Sequence, residues 1–205
     1  SGASGGLVDL LILRDETGAY NGYSGDVSSI IAALGFIGGA LAVWSTAKLL
    51  ITKNKEDMHL SHLKKEGKAK YALLVAATIG AVIGFNLLFE LLGVTNKSEA
   101  YTEVATQQYS AHFIVGILVF GFISPIAEEL LFRGVIYGYL RRFMDIKLAI
   151  ALSALIFGVY HMNYVQGVYG FLIGCLMAYA YEYFGEFKMA VFVHVASNVL
   201  AYCLS

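Results

Sequence analysis

Apolar residues gather into six runs, at 27–52, 69–94, 111 to about 139, 148–161, 168–181 and 189–204, separated by short polar breaks. A bilayer takes roughly 20 residues of helix to cross. The first three runs meet that length with room to tilt, and the last three need interfacial residues or local thinning to complete a crossing. Small residues recur along the runs (Gly35, Gly38, Gly39, Gly80, Gly84, Gly116, Gly121, Gly134, Gly138, Gly158, Gly170, Gly174), supplying places where helices approach closely. The pattern predicts an all-α polytopic membrane bundle of about six transmembrane helices. It forms one membrane domain over residues 1–205, with 1–26 as an external or interfacial segment and the chemistry-bearing helices in 111–204.

Composition agrees. The 205 residues are 58% hydrophobic and 14% charged, with a mean hydropathy of +0.67, outside the soluble globular range. A net charge of -1 gives no reason to expect a nucleic-acid partner. Cys175 and Cys203 both fall in apolar runs, where a thiol packs as a small side chain and a thiolate is disfavoured. The opening run at 1–6 is glycine- and serine-rich, no signal-peptide pattern is evident, and 7–13 is apolar but too short to span. It is expected at the interface or against the bundle.

Charge placement predicts orientation. Lys48, Lys53, Lys55, Lys64, Lys65, Lys68, Lys70, Arg141, Arg142, Lys147 and Lys188 fall at the ends that six crossings place on one side, and only Arg14 and Lys97 fall on the other. The positive-inside rule puts the basic loops in the cytoplasm and both termini outside a multi-pass protein of the cell membrane. The stretch 98–110 reads as an external amphipathic segment on the headgroups.

Against this apolar background a few polar residues stand out. Glu128, Glu129 and Arg133 interrupt the third run, His161 with Asn163 ends the fourth, and His194 with Asn198 interrupts the sixth. Ionisable groups at membrane depth are costly and by default functional. Glu129 and Arg133 stand four apart with the acid first, the favourable order for a same-face pair, while Glu128 points about 100° away around the helix. Pro125, the single proline, is expected to break the helix hydrogen bonding just before the acids and re-aim them. The alternatives are a structural ion network for the acids and arginine and a capping role for His161. Asn86 and Glu90 read as interfacial or helix-gluing, His59 and His62 as solvated, His112 as a helix-entrance residue, and Glu182 and Glu186 as residues of a cytoplasmic end. No Ser, Cys or Thr shows a base partner that would support a covalent acyl-enzyme.

Depth arithmetic leaves one mismatch. At 1.5 Å per residue Glu128 lies roughly 20 Å from Arg141, and His161 is about as far from Lys147, so the two can meet. His194 is only about 9 Å from Lys188 and Asn198 about 15 Å, so the last helix must start deeper, tilt, or contribute mainly through Asn198.

Glu128-Glu129-x-x-x-Arg133, Phe157-x-x-x-His161 and His194-x-x-x-Asn198, in this order on three hydrophobic segments, resemble the CAAX-protease and bacteriocin-processing (CPBP, or Abi) family of intramembrane endopeptidases. The likeness covers roughly residues 111–204. It implies hydrolysis of peptide bonds in a membrane-associated peptide or protein, lipidated or not, within the lipid bilayer. Carried over by position, Glu128 matches the general base, His161 a holder of the attacking water, His194 and Asn198 the groups facing the oxyanion, and Glu129 with Arg133 the pair that supports the first glutamate. No cofactor is expected. Two other readings stay open: a zinc protease with Glu128, His161 and His194 as ligands, and a non-enzymatic immunity or scaffold protein whose polar cluster only locks helix packing.

The topology has a direct test. A Lys65→Cys reporter in an otherwise cysteine-free chain is expected to resist an impermeant thiol reagent applied to intact cells and to react after permeabilisation. Labelling from outside would overturn the predicted arrangement.

Overall fold

The computed structural model describes residues 22–57, 67–94 and 98–204. They form α1 (Gly22–Asp57), α2 (Lys68–Leu91), α3 (Glu99–Tyr109), α4 (Phe113–Leu140), α5 (Ile146–Tyr160), α6 (Tyr164–Phe184) and α7 (Phe187–Leu204), with no strand among the described residues. The expected all-helical membrane protein is what folds. Every apolar run falls on one helix to within a few residues, and 98–110 holds the short helix α3. The expected interfacial stretch 7–13, Arg14, Lys97 and the middle of the basic loop, with His59, His62, Lys64 and Lys65, lie outside the described residues.

Among the described residues, four segments are long and apolar enough to cross a membrane: Gly25–Asn54, Lys68–Leu91, Phe113–Leu140 and Phe187–Leu204. The fourth and fifth runs behave differently. Helix α5 is apolar but has 15 residues, and α6 has 21 residues with tyrosines at 164, 169, 179, 181 and 183. These two pack against each other as a hairpin inserted between the longer rods.

Local chemistry explains where this hairpin begins and turns. Asp145 caps α5, its Oδ1 accepting from the Lys147 and Leu148 amides at 3.0 and 3.2 Å, which satisfies donors a helix start leaves open. At the turn, Met162 takes a left-handed conformation (φ 56°) that a side-chain-bearing residue adopts only when held. Asn163 holds it: its Oδ1 accepts from the Gln166 amide at 2.8 Å and its Nδ2 donates to the His161 carbonyl at 3.0 Å. His161 is thereby fixed at the end of α5. Gly185, also left-handed at φ 65°, ends α6 and lets α7 begin two residues later.

Helix α4 is the axis of the bundle. Helix α1 lies along it through Gly134 and Gly138, where an added Cβ at Gly134 would stand 2.9 Å from Ala47 Cβ, and Asn54 Nδ2 donates to the Gly138 carbonyl at 3.0 Å. Helix α7 packs on the middle of α4 and on α6, and α5 packs on its last third. The core joins Phe132, Tyr137, Phe157, Ile173, Met177, Tyr181, Met189 and Val193 from α4 to α7. Helix α4 is not uniformly α-helical: π-helical turns at Ile117–Ile123 and Leu130–Tyr137 flank an α-helical stretch, Ser124–Glu129. The hydrogen-bond disruption expected at Pro125 takes this form, and π turns inside helices are frequent where function lies.

The α5–α6 contact predicts a sensitive position. A Cβ on Gly158 would stand 2.5 Å from the Gly167 carbonyl oxygen and 3.3 Å from Phe171 Cβ, and backbone cannot move aside. Gly158→Ala is expected to destabilise the protein by about 1–3 kcal/mol, the usual cost of overpacking, read as a lower unfolding midpoint in detergent. An unchanged midpoint would show the hairpin is not closely packed there.

Candidate active site

The centre of the site is a charge pair on α4. Arg133 Nη1 donates to Glu129 Oε1 at 2.8 Å, and both side chains are 0% exposed. The spacing of four that predicts this pair from sequence is realised. The guanidinium is a bridge rather than a two-pronged clamp on one carboxylate. Its Nη2 donates to the Gly174 carbonyl on α6 at 3.0 Å, and its Cζ lies 4.6 Å from the centre of the Phe157 ring on α5. A planar fork suits this triple task and an ammonium does not. Gly174 is where α6 comes this close, because a Cβ there would stand 2.9 Å from Arg133 Nη2.

From α7, His194 closes the cluster. Its Nδ1 lies 2.8 Å from Glu129 Oε1, and its Nε2 lies 3.8 Å from Glu128 Oε2. A carboxylate accepts, so Nδ1 donates and Nε2 is turned toward Glu128. Carboxylates orient metal-ligating and catalytic imidazoles by the same device. Met189 and Ala190, near the first turn of α7, are already buried among the other helices.

The two adjacent glutamates have separate surroundings. Glu129 sits wholly in the dry core, while Glu128 keeps a side chain 12% exposed and accepts a hydrogen bond from Ser124 Oγ through its Oε1. Ser124 therefore does have a carboxylate partner, correcting the sequence reading that no serine has one. The spacing that reveals Glu129–Arg133 also relates Ser124 to Glu128, so the signal was present in the chain.

His161 and Asn198 reach the site less directly. His161 Nδ1 donates to the Phe157 carbonyl at 2.9 Å, leaving Nε2 for other partners. The Phe157 ring meets both imidazoles edge-on, at 4.8 Å from His161 and 5.4 Å from His194 between centroids. Asn198 Nδ2 donates to the Phe120 carbonyl at 3.0 Å. In the π register a carbonyl pairs with the amide five residues on, as Val119 does with Ser124. For Phe120 that residue is Pro125, which has no N–H, and Asn198 supplies the donor. One hydrogen of its amide remains.

The other candidates separate from this centre. Asn86 donates to the Val82 carbonyl of its own helix at 2.8 Å. His112 opens α4, with its amide and Nδ1 against Asp26 at 2.8 and 2.7 Å. Glu182 is buried, accepting from Tyr137 Oη and from Arg141 Nη2 at 3.0 Å, which ties α6 to the end of α4. Among the described residues no group of three or more His, Cys, Asp and Glu is arranged to hold a metal ion, and Glu129 engages His194 Nδ1.

The described residues thus form a helix bundle with segments of membrane-crossing length, and polar side chains of α4, of the end of α5 and of α7 meet inside it. Residues 110–200 match the family model for type II CAAX prenyl endopeptidase Rce1-like proteins. No curated protein and no solved structure matches the chain.

The central pair predicts a stability result. Arg133→Met leaves Glu129 as a buried charge without its cation and is expected to cost about 3–5 kcal/mol, whereas removing both charges together, in Glu129→Leu/Arg133→Met, is expected to cost less. Unfolding midpoints in detergent across this double-mutant cycle measure it. Additive losses would show that the two charges are not coupled.

Proposed function

We propose that the chain is an intramembrane glutamic endopeptidase in which Glu128 activates the attacking water. The observation that carries this reading is the division between the two adjacent carboxylates. Glu129 is held by Arg133 and His194 in the core, and Glu128 is the one left partly accessible beside an imidazole. In this reading a water is held between Glu128 and the Nε2 of His161. Glu128 takes one of its protons as the oxygen adds to the scissile carbonyl carbon. The carbonyl oxygen gains negative charge and is met by the second amide hydrogen of Asn198 and by Nε2–H of His194 in its doubly protonated form. Donors of this kind in a water-poor site are each worth several kcal/mol. Glu128 then returns the proton to the leaving nitrogen as the C–N bond breaks, yielding a carboxylic acid and an amine. Glu129 and Arg133 act by fixing the direction of the His194 ring.

The reading needs no metal ion, and the basic loops face the cytoplasm. Neither a zinc site nor a purely structural cluster has an observation in its favour that this mechanism leaves unexplained.

The test compares native protein with Glu128→Gln on quenched peptides ending in Cys and an aliphatic tripeptide, with and without a farnesyl group on the cysteine, alongside proteomics of membrane fractions. Loss of at least 10²-fold in turnover is expected at preserved folding, the lower range for general-base catalysis, together with accumulation of an uncleaved precursor. Exhaustive chelation is expected to leave the native rate unchanged. Native turnover in Glu128→Gln would remove Glu128 as the base, activity lost with zinc and regained with it would establish a metalloprotease, and cleavage of neither peptide with no precursor change would favour the scaffold.

A further inference from the structure

We infer that Ser124 is a positioning residue for the general base: its hydroxyl holds Glu128 Oε1, so that Oε2 alone is presented as the proton acceptor. This rests on the proposed role of Glu128 and adds to it a residue outside the three motifs. Ser124 is buried, at 5% exposure, and its Oγ donates to Glu128 Oε1, while Oε2 of the same carboxylate lies 3.8 Å from His194 Nε2. The two oxygens of one carboxylate therefore have different neighbours. A carboxylate free to rotate about its last torsion exchanges its oxygens, since that torsion is broad and nearly two-fold. A donor fixed on one oxygen removes the exchange.

The backbone makes Ser124 a suitable anchor. It is the first residue of the α-helical stretch Ser124–Glu129, and its own amide is paired to the Val119 carbonyl in π register. Pro125 follows it, with φ locked by the ring, and the Phe120 carbonyl beside this junction is held from α7 by Asn198. The serine is thus fixed on both sides, one helical turn before the base and on the same face. A hydroxyl also fits the chemistry of turnover. When Glu128 carries the proton on Oε2, Oε1 remains an acceptor for Ser124, so the contact persists through both halves of the reaction.

The same geometry invites a competing role, in which Ser124 is a nucleophile with Glu128 as its base. The experiment separates the two. Ser124→Ala, Ser124→Thr and Glu128→Gln are compared with native protein for kcat, KM and unfolding midpoint on the quenched farnesylated peptide. Positioning predicts that Ser124→Ala loses about tenfold in kcat, the scale of one hydrogen bond to a charged group, with KM and midpoint near native. It also predicts that Ser124→Thr, which keeps the hydroxyl, recovers most of that loss and that Ser124→Ala stays far more active than Glu128→Gln. Native kcat in Ser124→Ala overturns the inference, as does a loss that follows the midpoint and is not recovered by threonine. A fall to the Glu128→Gln level, joined by stoichiometric labelling of the native protein by a fluorophosphonate, would overturn it in favour of a serine nucleophile. Failure of the Glu128 reading is seen separately, as a fully active Glu128→Gln.

Discussion

A guanidinium and a carboxylate, both sealed from solvent, set the terms for the rest of this bundle. Arg133 and Glu129 are 0% exposed, and charges removed from water cost several kcal/mol each unless every side of them is met. Meeting them requires other helices. The Gly174 carbonyl comes from α6, the Phe157 ring from α5 and the His194 imidazole from α7, so the pair on α4 can be buried only if three other helices arrive in register. That demand accounts for small residues where bulk would otherwise fill the core. Gly174 lets a backbone carbonyl reach a guanidinium, and Ala154 of α5 packs at the same place. Neither the Glu129 Oε2 atom nor Arg133 Nε has a hydrogen-bond partner, so the contacts that do exist carry the whole burden of keeping these charges in place.

The second constraint is the backbone of α4. In the π turns each carbonyl reaches five residues ahead, which is tolerable only where the mismatched groups find partners. Proline at 125 would leave the Phe120 carbonyl without one, and a side-chain amide from α7 takes its place. This ties the last helix to the middle of the chain twice, through Asn198 to backbone and through His194 to Glu129. The two residues of one sequence motif thus reach α4 at two places nine residues apart, Asn198 at the Phe120 carbonyl and His194 at Glu129.

Much of this was legible in the chain, and the reasons differ by residue. Apolar runs locate helices because the bilayer and the core both demand apolar side chains, and charged residues inside such runs mark the site because little else justifies their cost. The Glu129–Arg133 contact follows from helical spacing alone. Contacts between helices do not: that Arg133 bridges to Gly174, or that His194 meets Glu129, depends on how α6 and α7 are rotated, which no local pattern encodes. Ser124 escaped for another reason. A serine before a proline reads as a local turn or cap signal, and only the partner four residues later gives it a different meaning. The two shorter runs also show the limit of hydropathy, since α6 spends many positions on tyrosine, whose ring packs as an apolar body while its hydroxyl lowers the average.

Two identical side chains next to each other on one helix can do different work only if the helix turns them into different surroundings. Here a rotation of about 100° between neighbours takes Glu129 into a core where a cation and an imidazole meet it, and leaves Glu128 at the margin with a single hydroxyl donor and space beside His194. Arg133 and His194 thus tie down the second glutamate through its Oε1, while the first keeps Oε2 turned toward His194. The same pairing turns His194 so that the nitrogen not used by Glu129 faces Glu128, so one buried contact both holds one carboxylate and arranges the neighbour of the other. An arrangement of this kind cannot be assembled from α4 alone, which is why His194 of α7 is as deeply buried as the apolar residues around it.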